Sequence, residues 1–279
     1  MIIMNILAAC LVGLSFASTA ISAPIAAPYD RALISDASIL TARDPNGTAL
    51  GSKRTSSAWS GGVIEGLDLK TVTGTFILPT ITDTTHFDLN GNQTFGIWVG
   101  IDGSAGEGCG GLLQAGVFLD TFAGLATYKP FYEWISDLPI HEHAQLNLSG
   151  GDSVTVTVTA TSDTSGSALI ENNSKGTAFL LPYANQTKLC QPYTADWIVE
   201  RPRAHFPGFD NFHLTPLVDF GTITFTGASA TTTDGRQIDA SDARLQLMDM
   251  DISGGALRLT NATMDDSSIV VTYVGNGKI

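Results

Sequence analysis

Residues Ser153–Ser162 read SVTVTVTATS. Val154, Val156, Val158 and Ala160 fall on one side of an extended chain and the threonines on the other. That period of two is the mark of a half-buried β-strand. Gly150-Gly151-Asp152 supplies a turn just before it. Working outward, Thr71–Leu78, Phe95–Ile101, Leu112–Leu119, Ala195–Glu200, Thr222–Thr226, Leu245–Ile252 and Ser268–Val274 also read as strands. Turn signals at Asn172-Asn173-Ser174, Thr233-Asp234-Gly235 and Ser253-Gly254-Gly255 separate them. No long amphipathic helix is evident. Many short strands at this spacing predict an all-β sandwich or barrel in one domain.

Composition narrows the function. The chain has 279 residues, of which 43% are hydrophobic and 15% charged, enough for one substantial core. Its formal net charge of −13 argues against a nucleic-acid surface, which needs clustered Lys and Arg. No apolar run reaches the roughly 20 residues of a membrane span.

Residues 6–16, ILAACLVGLSF, have the length and character of a signal-peptide core, with small residues Ser18-Thr19-Ala20 at the cleavage positions. Residues 1–20 are therefore read as an export signal, although no Lys or Arg precedes the apolar run. Residues 21–54 carry Pro24, Pro28 and Pro45, lack sustained alternation and end in Lys53-Arg54, which resembles a dibasic processing site. They are read as a propeptide, and residues 55–279 as the mature domain. Residues 55–279 hold 10 basic and 24 acidic residues, so nearly all the acidity lies there. Such a surface approaches neutrality only in acid.

With Cys10 removed in the signal, Cys109 and Cys190 remain. Two thiols in an oxidising compartment usually pair, but two free buried cysteines fit the sequence as well. N-x-S/T sequons stand at Asn46, Asn92, Asn147, Asn172, Asn185 and Asn261.

The chain has no phosphate-binding loop, no G-x-S-x-G elbow and no H-E-x-x-H. Asp163-Thr164-Ser165-Gly166 occurs once, where pepsin-like peptidases need such a turn twice. His141-Glu142-His143 puts two imidazoles on one strand face without an assignable third metal ligand. His205 and His213 flank an aromatic stretch that reads as a loop or flap. Glu200 closes a strand beside apolar neighbours, which disfavours its charged form. Gln114 lies in an apolar stretch and must find hydrogen-bond partners. Each, taken alone, is more often a satisfied structural polar residue than a catalyst.

Taken together, ordered motifs resemble the secreted fungal glutamic peptidases, or eqolisins. Ser57–Val63 (SAWSGGV), Trp98–Gly103 (WVGIDG), Leu113–Val117 (LQAGV), Tyr132-Glu133-Trp134, Val154–Gly166 and Trp197–Glu200 (WIVE) carry the likeness over residues 55–275. The resemblance implies a curved antiparallel sandwich of two large sheets, like a concanavalin jelly-roll. It implies acid endoproteolysis with no metal, no cofactor and no acyl-enzyme. Gln114 and Glu200 would form the catalytic dyad, with Trp98, Asp102 and Glu133 lining or supporting the substrate site. Cys109 and Cys190 fall where the family has a disulfide. The implied partners are protein or peptide substrates and the chain's own propeptide as inhibitor, with no nucleic acid or membrane; a secreted, extracellular monomer is expected.

This chain departs from the family where Phe118 replaces an acidic residue, where Lys129 and Phe131 replace an acidic and an aromatic residue, and where Arg201 follows Glu200. Arg201 would lower the Glu200 pKa if it faced the carboxylate. Two other readings compete. Exposed Trp98, Tyr132 and Trp134 would suit a carbohydrate-binding sandwich, with Glu133 and Glu200 as a glycosidase pair. An inactive scaffold is the other.

Overall fold

The computed structural model describes residues 29–30, 38–40, 53–81, 92–104, 111–122, 125–135, 141–142, 146–190, 193–205, 212–252 and 257–275. The proposed export signal, Asn46, Cys109, His143 and the stretch 206–211 lie outside them. Nine strands form one sheet in the order β2 (Ser38–Leu40), β3 (Lys53–Ser56), β18 (Leu245–Met250), β4 (Trp59–Leu67), β13 (Tyr193–Glu200), β6 (Asn92–Asp102), β7 (Leu112–Phe122), β8 (Leu125–Ile135) and β9 (His141–Glu142). An eight-stranded sheet runs β12 (Thr177–Tyr183), β11 (Ser165–Asn172), β10 (Ser153–Ser162), β5 (Leu69–Ile77), β16 (Thr222–Thr232), β20 (Ser268–Tyr273) and β19 (Thr260–Asp265), with β17 (Gln237–Asp239) beside β16. A small third sheet joins β1 (Tyr29–Asp30), β14 (Arg203–His205) and β15 (Phe212–Leu214). The pairing is antiparallel except between β3 and β18. The fold is an antiparallel β-sandwich.

The quoted stretch is β10, with the expected bounds and the expected alternation of burial. Its valines share the inter-sheet core with Ile97, Val99, Ala115 and Val117, where β5, β10 and β11 pack on β6, β7 and β13. Its threonines face outward and pair with those of β5: Thr73 Oγ1 lies 2.8 Å from Thr157 Oγ1, and Thr75 Oγ1 2.7 Å from Thr155 Oγ1. Such cross-strand pairs fix register on the solvent side while burial fixes it on the core side. Trp197 ties the sheets together, donating from Nε1 to the Thr73 carbonyl at 2.8 Å.

Tyr132 and Trp134 also belong to this core, at 0% and 1% exposure. They were expected as exposed platforms for sugar stacking. Instead they fill the space between the sheets, which removes the feature that favoured a carbohydrate site. Of the sequons, Asn172 is buried, and its amide nitrogen donates to the Asn147 carbonyl and to Asp152 Oδ2. A glycan on that nitrogen is incompatible with this packing.

The Lys53-Arg54 pair lies inside β3, between β2 and β18. Lys53 Nζ meets the buried Asp249 carboxylate at 2.9 Å, and Arg54 meets Glu65 at 2.7 Å. A protease needs an extended, unpaired segment, so cleavage there requires β3 to detach from its neighbours.

Candidate active site

The site lies on the face of the nine-stranded sheet turned away from the second sheet. Alternation along β6 sends Phe95, Ile97, Val99 and Ile101 into the core and leaves Gly96, Trp98 and Gly100 on the other side. The register then builds rungs across this face. Glu200 pairs with Gly96, and Gly96 with Phe118. Ile198 pairs with Trp98, Trp98 with Gly116, and Gly116 with Phe131. Asp196 pairs with Gly100, Gly100 with Gln114, and Gln114 with Glu133. The glycines leave room for what stands beside them. A Cβ on Gly100 would lie 2.9 Å from the Trp98 ring, and one on Gly96 3.0 Å from the Phe118 ring.

Gln114 and Glu200 thus share a face, on either side of Trp98. Two strand spacings and four residues along β6 separate their Cα atoms by roughly 16 Å on a flat sheet.

Each side chain is held. Trp98 Nε1 donates to Glu200 Oε2 at 2.8 Å, and Trp59 braces Trp98 edge-on with ring centroids 4.7 Å apart. Gln114 Nε2 donates to Glu133 Oε2 at 2.5 Å. Gln114, Glu200 and Glu133 are 1%, 1% and 6% exposed. In such low-dielectric surroundings a charge-assisted hydrogen bond orients strongly. Sequence reasoning assigned Trp98 and Glu133 supporting positions; the hydrogen bonds add that Glu133 belongs to Gln114 and Trp98 to Glu200.

Asp102 does something else. Its φ of +73° breaks the strand alternation. Its carboxylate accepts from the backbone N–H of Cys190 at 2.6 Å and of Thr194 at 3.1 Å. It clasps the lead-in to β13, next to Cys190, which is disulfide-bonded. Burial pushes the Asp102 carboxyl up to about 7, against the lowering effect of the two N–H donors. The folded value exceeds the ordinary 3.8, so the protonated form is favoured by folding. Stability is then fully present below pH 3.8 and is lost as pH rises through 7. The loss is on the order of 4 kcal/mol. Thermal melts between pH 3 and 8 should show this decline, and Asp102→Asn should flatten it, since Asn tolerates positive φ.

Arg201 does not point its charge at Glu200. It is buried, its Nε donates to the Thr215 carbonyl, and burial lowers its pKa to about 10. With Thr215 Oγ1 donating to the Thr94 carbonyl at 2.9 Å, it ties β15 to the Glu200 end of the face. Leu214 of β15 packs against the aromatic cluster there. The flap expected around His205–Phe212 is in part this β14–β15 pair. Among the described residues, no three His, Cys, Asp or Glu side chains cluster as metal ligands.

Sequence reasoning gave no place to Asp196, on the Gln114 rung, or to the stacked rings of Phe118 and Phe131. Gly116 is tightly enclosed: a Cβ there would fall 2.1 Å from the Ile97 carbonyl oxygen and 2.6 Å from Trp98 Cβ. Gly116→Ala should therefore cost at least about 2 kcal/mol, read as a lowered melting temperature.

The Peptidase A4 family pattern matches residues 57–273. The chain is 34% identical over 245 residues to aspergillopepsin-2 of Aspergillus niger, spanning 82% of this chain and 81% of that protein. It is 31% identical over 193 residues to scytalidopepsin B of Scytalidium lignicola, spanning 68% of each. The fold is similar to the crystal structure of scytalido-glutamic peptidase with a transition-state analogue inhibitor, with a TM-score of 0.65 and 28% identity, over 78% of this chain and 98% of that one.

Proposed function

The chain belongs to the peptidase A4 family of glutamic endopeptidases, and from that premise we propose that Gln114 and Glu200 are its catalytic dyad. One observation carries the reading. The two side chains stand on one sheet face either side of Trp98, each fixed by a different polar neighbour. Glu200 as carboxylate takes a proton from water, which attacks the scissile carbonyl carbon. The Gln114 amide nitrogen carries two hydrogens. One goes to Glu133 and orients the group; the other stabilises the developing oxyanion. Protonated Glu200 then returns the proton to the leaving amine as the tetrahedral intermediate collapses. The bond broken is C–N, the bond formed is C–O, and no acyl-enzyme intervenes.

The same reading makes the enzyme a secreted monomer that meets protein or peptide substrates outside the cell. Residues 21–54 act as its inhibitory propeptide. Their support is topological: Tyr29–Asp30 pairs with Arg203–Ala204 just past Glu200, and Ser38–Leu40 pairs with Lys53–Thr55. The first of these pairings lies beside the Glu200 end of the site, and Glu200 is buried in this full chain. The test is digestion of an acid-denatured protein by the full chain after incubation in acid, with pepstatin present to silence aspartic peptidases. Acid-dependent, pepstatin-resistant cleavage is the expected result. Absence of cleavage once the N-terminal segment has been removed would leave a non-catalytic scaffold.

A further inference from the structure

We propose that Phe118 is a specificity-determining residue, selecting a large apolar substrate side chain beside the scissile bond. The inference rests on the dyad reading above and adds what that site accepts. Phe118 lies on the Glu200 rung, with only Gly96 between them. Because Gly96 has no side chain, the Phe118 ring lies over it, 3.0 and 3.3 Å from where a Cβ would sit. The ring therefore crosses from β7 onto β6, toward the strand that carries Glu200. Phe131 stacks on it with centroids 4.1 Å apart and planes 27° apart. A Trp98 ring atom likewise lies 2.9 Å from where a Gly100 Cβ would sit. Three rings thus share the sheet face that carries Glu200.

The charges nearby are spent on each other. Lys129, opposite Phe118, forms an ion pair with Asp120 at 2.9 Å, and Asp120 also accepts from Thr94 Oγ1 at 2.7 Å. This polar rim lies one rung beyond the rings. A substrate whose carbonyl sits between Gln114 and Glu200 places its next side chain about 3.3 Å further along, on the face these rings share. An apolar side chain gains by leaving water there. A carboxylate or ammonium placed against these rings loses its hydration.

Phe118 and Phe131 are covered in the full chain, so the test uses protein incubated in acid. A peptide set carries Phe, Leu, Ser, Asp or Lys at either position flanking one cleavable bond. At one of those positions, kcat/KM for Phe should exceed that for Asp or Lys at least tenfold. Phe118→Ser should collapse that ratio below threefold, mainly through KM, and Phe118→Leu should restore most of it. A preference that survives Phe118→Ser overturns the assignment. If Phe118→Ser does not fold, Phe118→Leu decides: the Phe-to-Leu substrate ratio must fall at least twofold. Cleavage that depends on Glu200 but shows no apolar preference at either position sinks the Phe118 proposal alone. No cleavage of any peptide by protein freed of its N-terminal segment sinks the dyad reading with it.

Discussion

Glu200→Gln is expected to lower acid proteolysis by about 10³-fold or more while leaving the folded protein as stable as wild type. The loss follows from chemistry. An amide has the same shape but cannot take up the proton of an attacking water, and general-base catalysis of this kind contributes about 10²–10⁴-fold. Retained stability follows from packing. The Gln carbonyl oxygen still accepts from Trp98 Nε1, which holds Glu200 Oε2 at 2.8 Å. Exchanging a buried carboxylate for a neutral amide also removes a desolvation cost. Peptide turnover and a thermal melt on the same sample read both halves. A folded variant keeping a tenth of wild-type activity would falsify the base assignment.

Gln114→Glu is the second large effect. Gln114 Nε2 lies 2.5 Å from Glu133 Oε2, so the new carboxyl meets Glu133. Two carboxyls at that distance cannot both ionise, so one keeps a proton to unusually high pH. The amide donor to the oxyanion is lost as well, and removing one such donor typically costs about 10²–10³-fold in kcat. Activity should fall by that order, with KM changed little and the acid limb of the pH profile shifted. Gln114→Ala separates the two causes, since it loses the donor without adding charge. If Gln114→Glu turned over at the wild-type rate, Gln114 would have no part in the chemistry.

How legible the molecule was in its sequence depended on whether the two faces of a strand differ. β10 was readable to the residue because valine and threonine alternate against core and water. β8 and β4 were not read as strands, although fragments of both were recognised as motifs. Phe131, Tyr132, Glu133 and Trp134 are all buried, two toward the core and two toward the site, so no alternation in polarity survives. β11 does alternate in burial, but Ser, Gly and Ala carry little hydrophobic contrast. Gln114 and Glu200 were found because local motifs flagged them, and alternation then gave each a face. That they share a face could come only from pairing across β6, which no local pattern encodes. Asp102 was named among the residues lining or supporting the site, but its contacts with the backbone of Cys190 and Thr194 could not be read from local pattern. Arg201 was weighed against Glu200 by adjacency, whereas its guanidinium is committed to Thr215.

Long-range hydrogen bonds decide where a polar side chain points, and they join residues such as Asp102 and Thr194 that are far apart in sequence. The fold itself tolerates this ignorance because burial patterns of many strands agree on two sheets and one core.

The central claim is that Gln114 and Glu200 act together on one peptide bond over Trp98. The most direct measurement is a crystal structure of the acid-activated protein with a peptide whose scissile carbonyl is replaced by a tetrahedral centre. The account predicts that centre above Trp98, one oxygen within hydrogen-bond distance of Gln114 Nε2 and another within that distance of a Glu200 carboxyl oxygen. A peptide bound on another face, or a tetrahedral centre reached by only one of the two side chains, would contradict it.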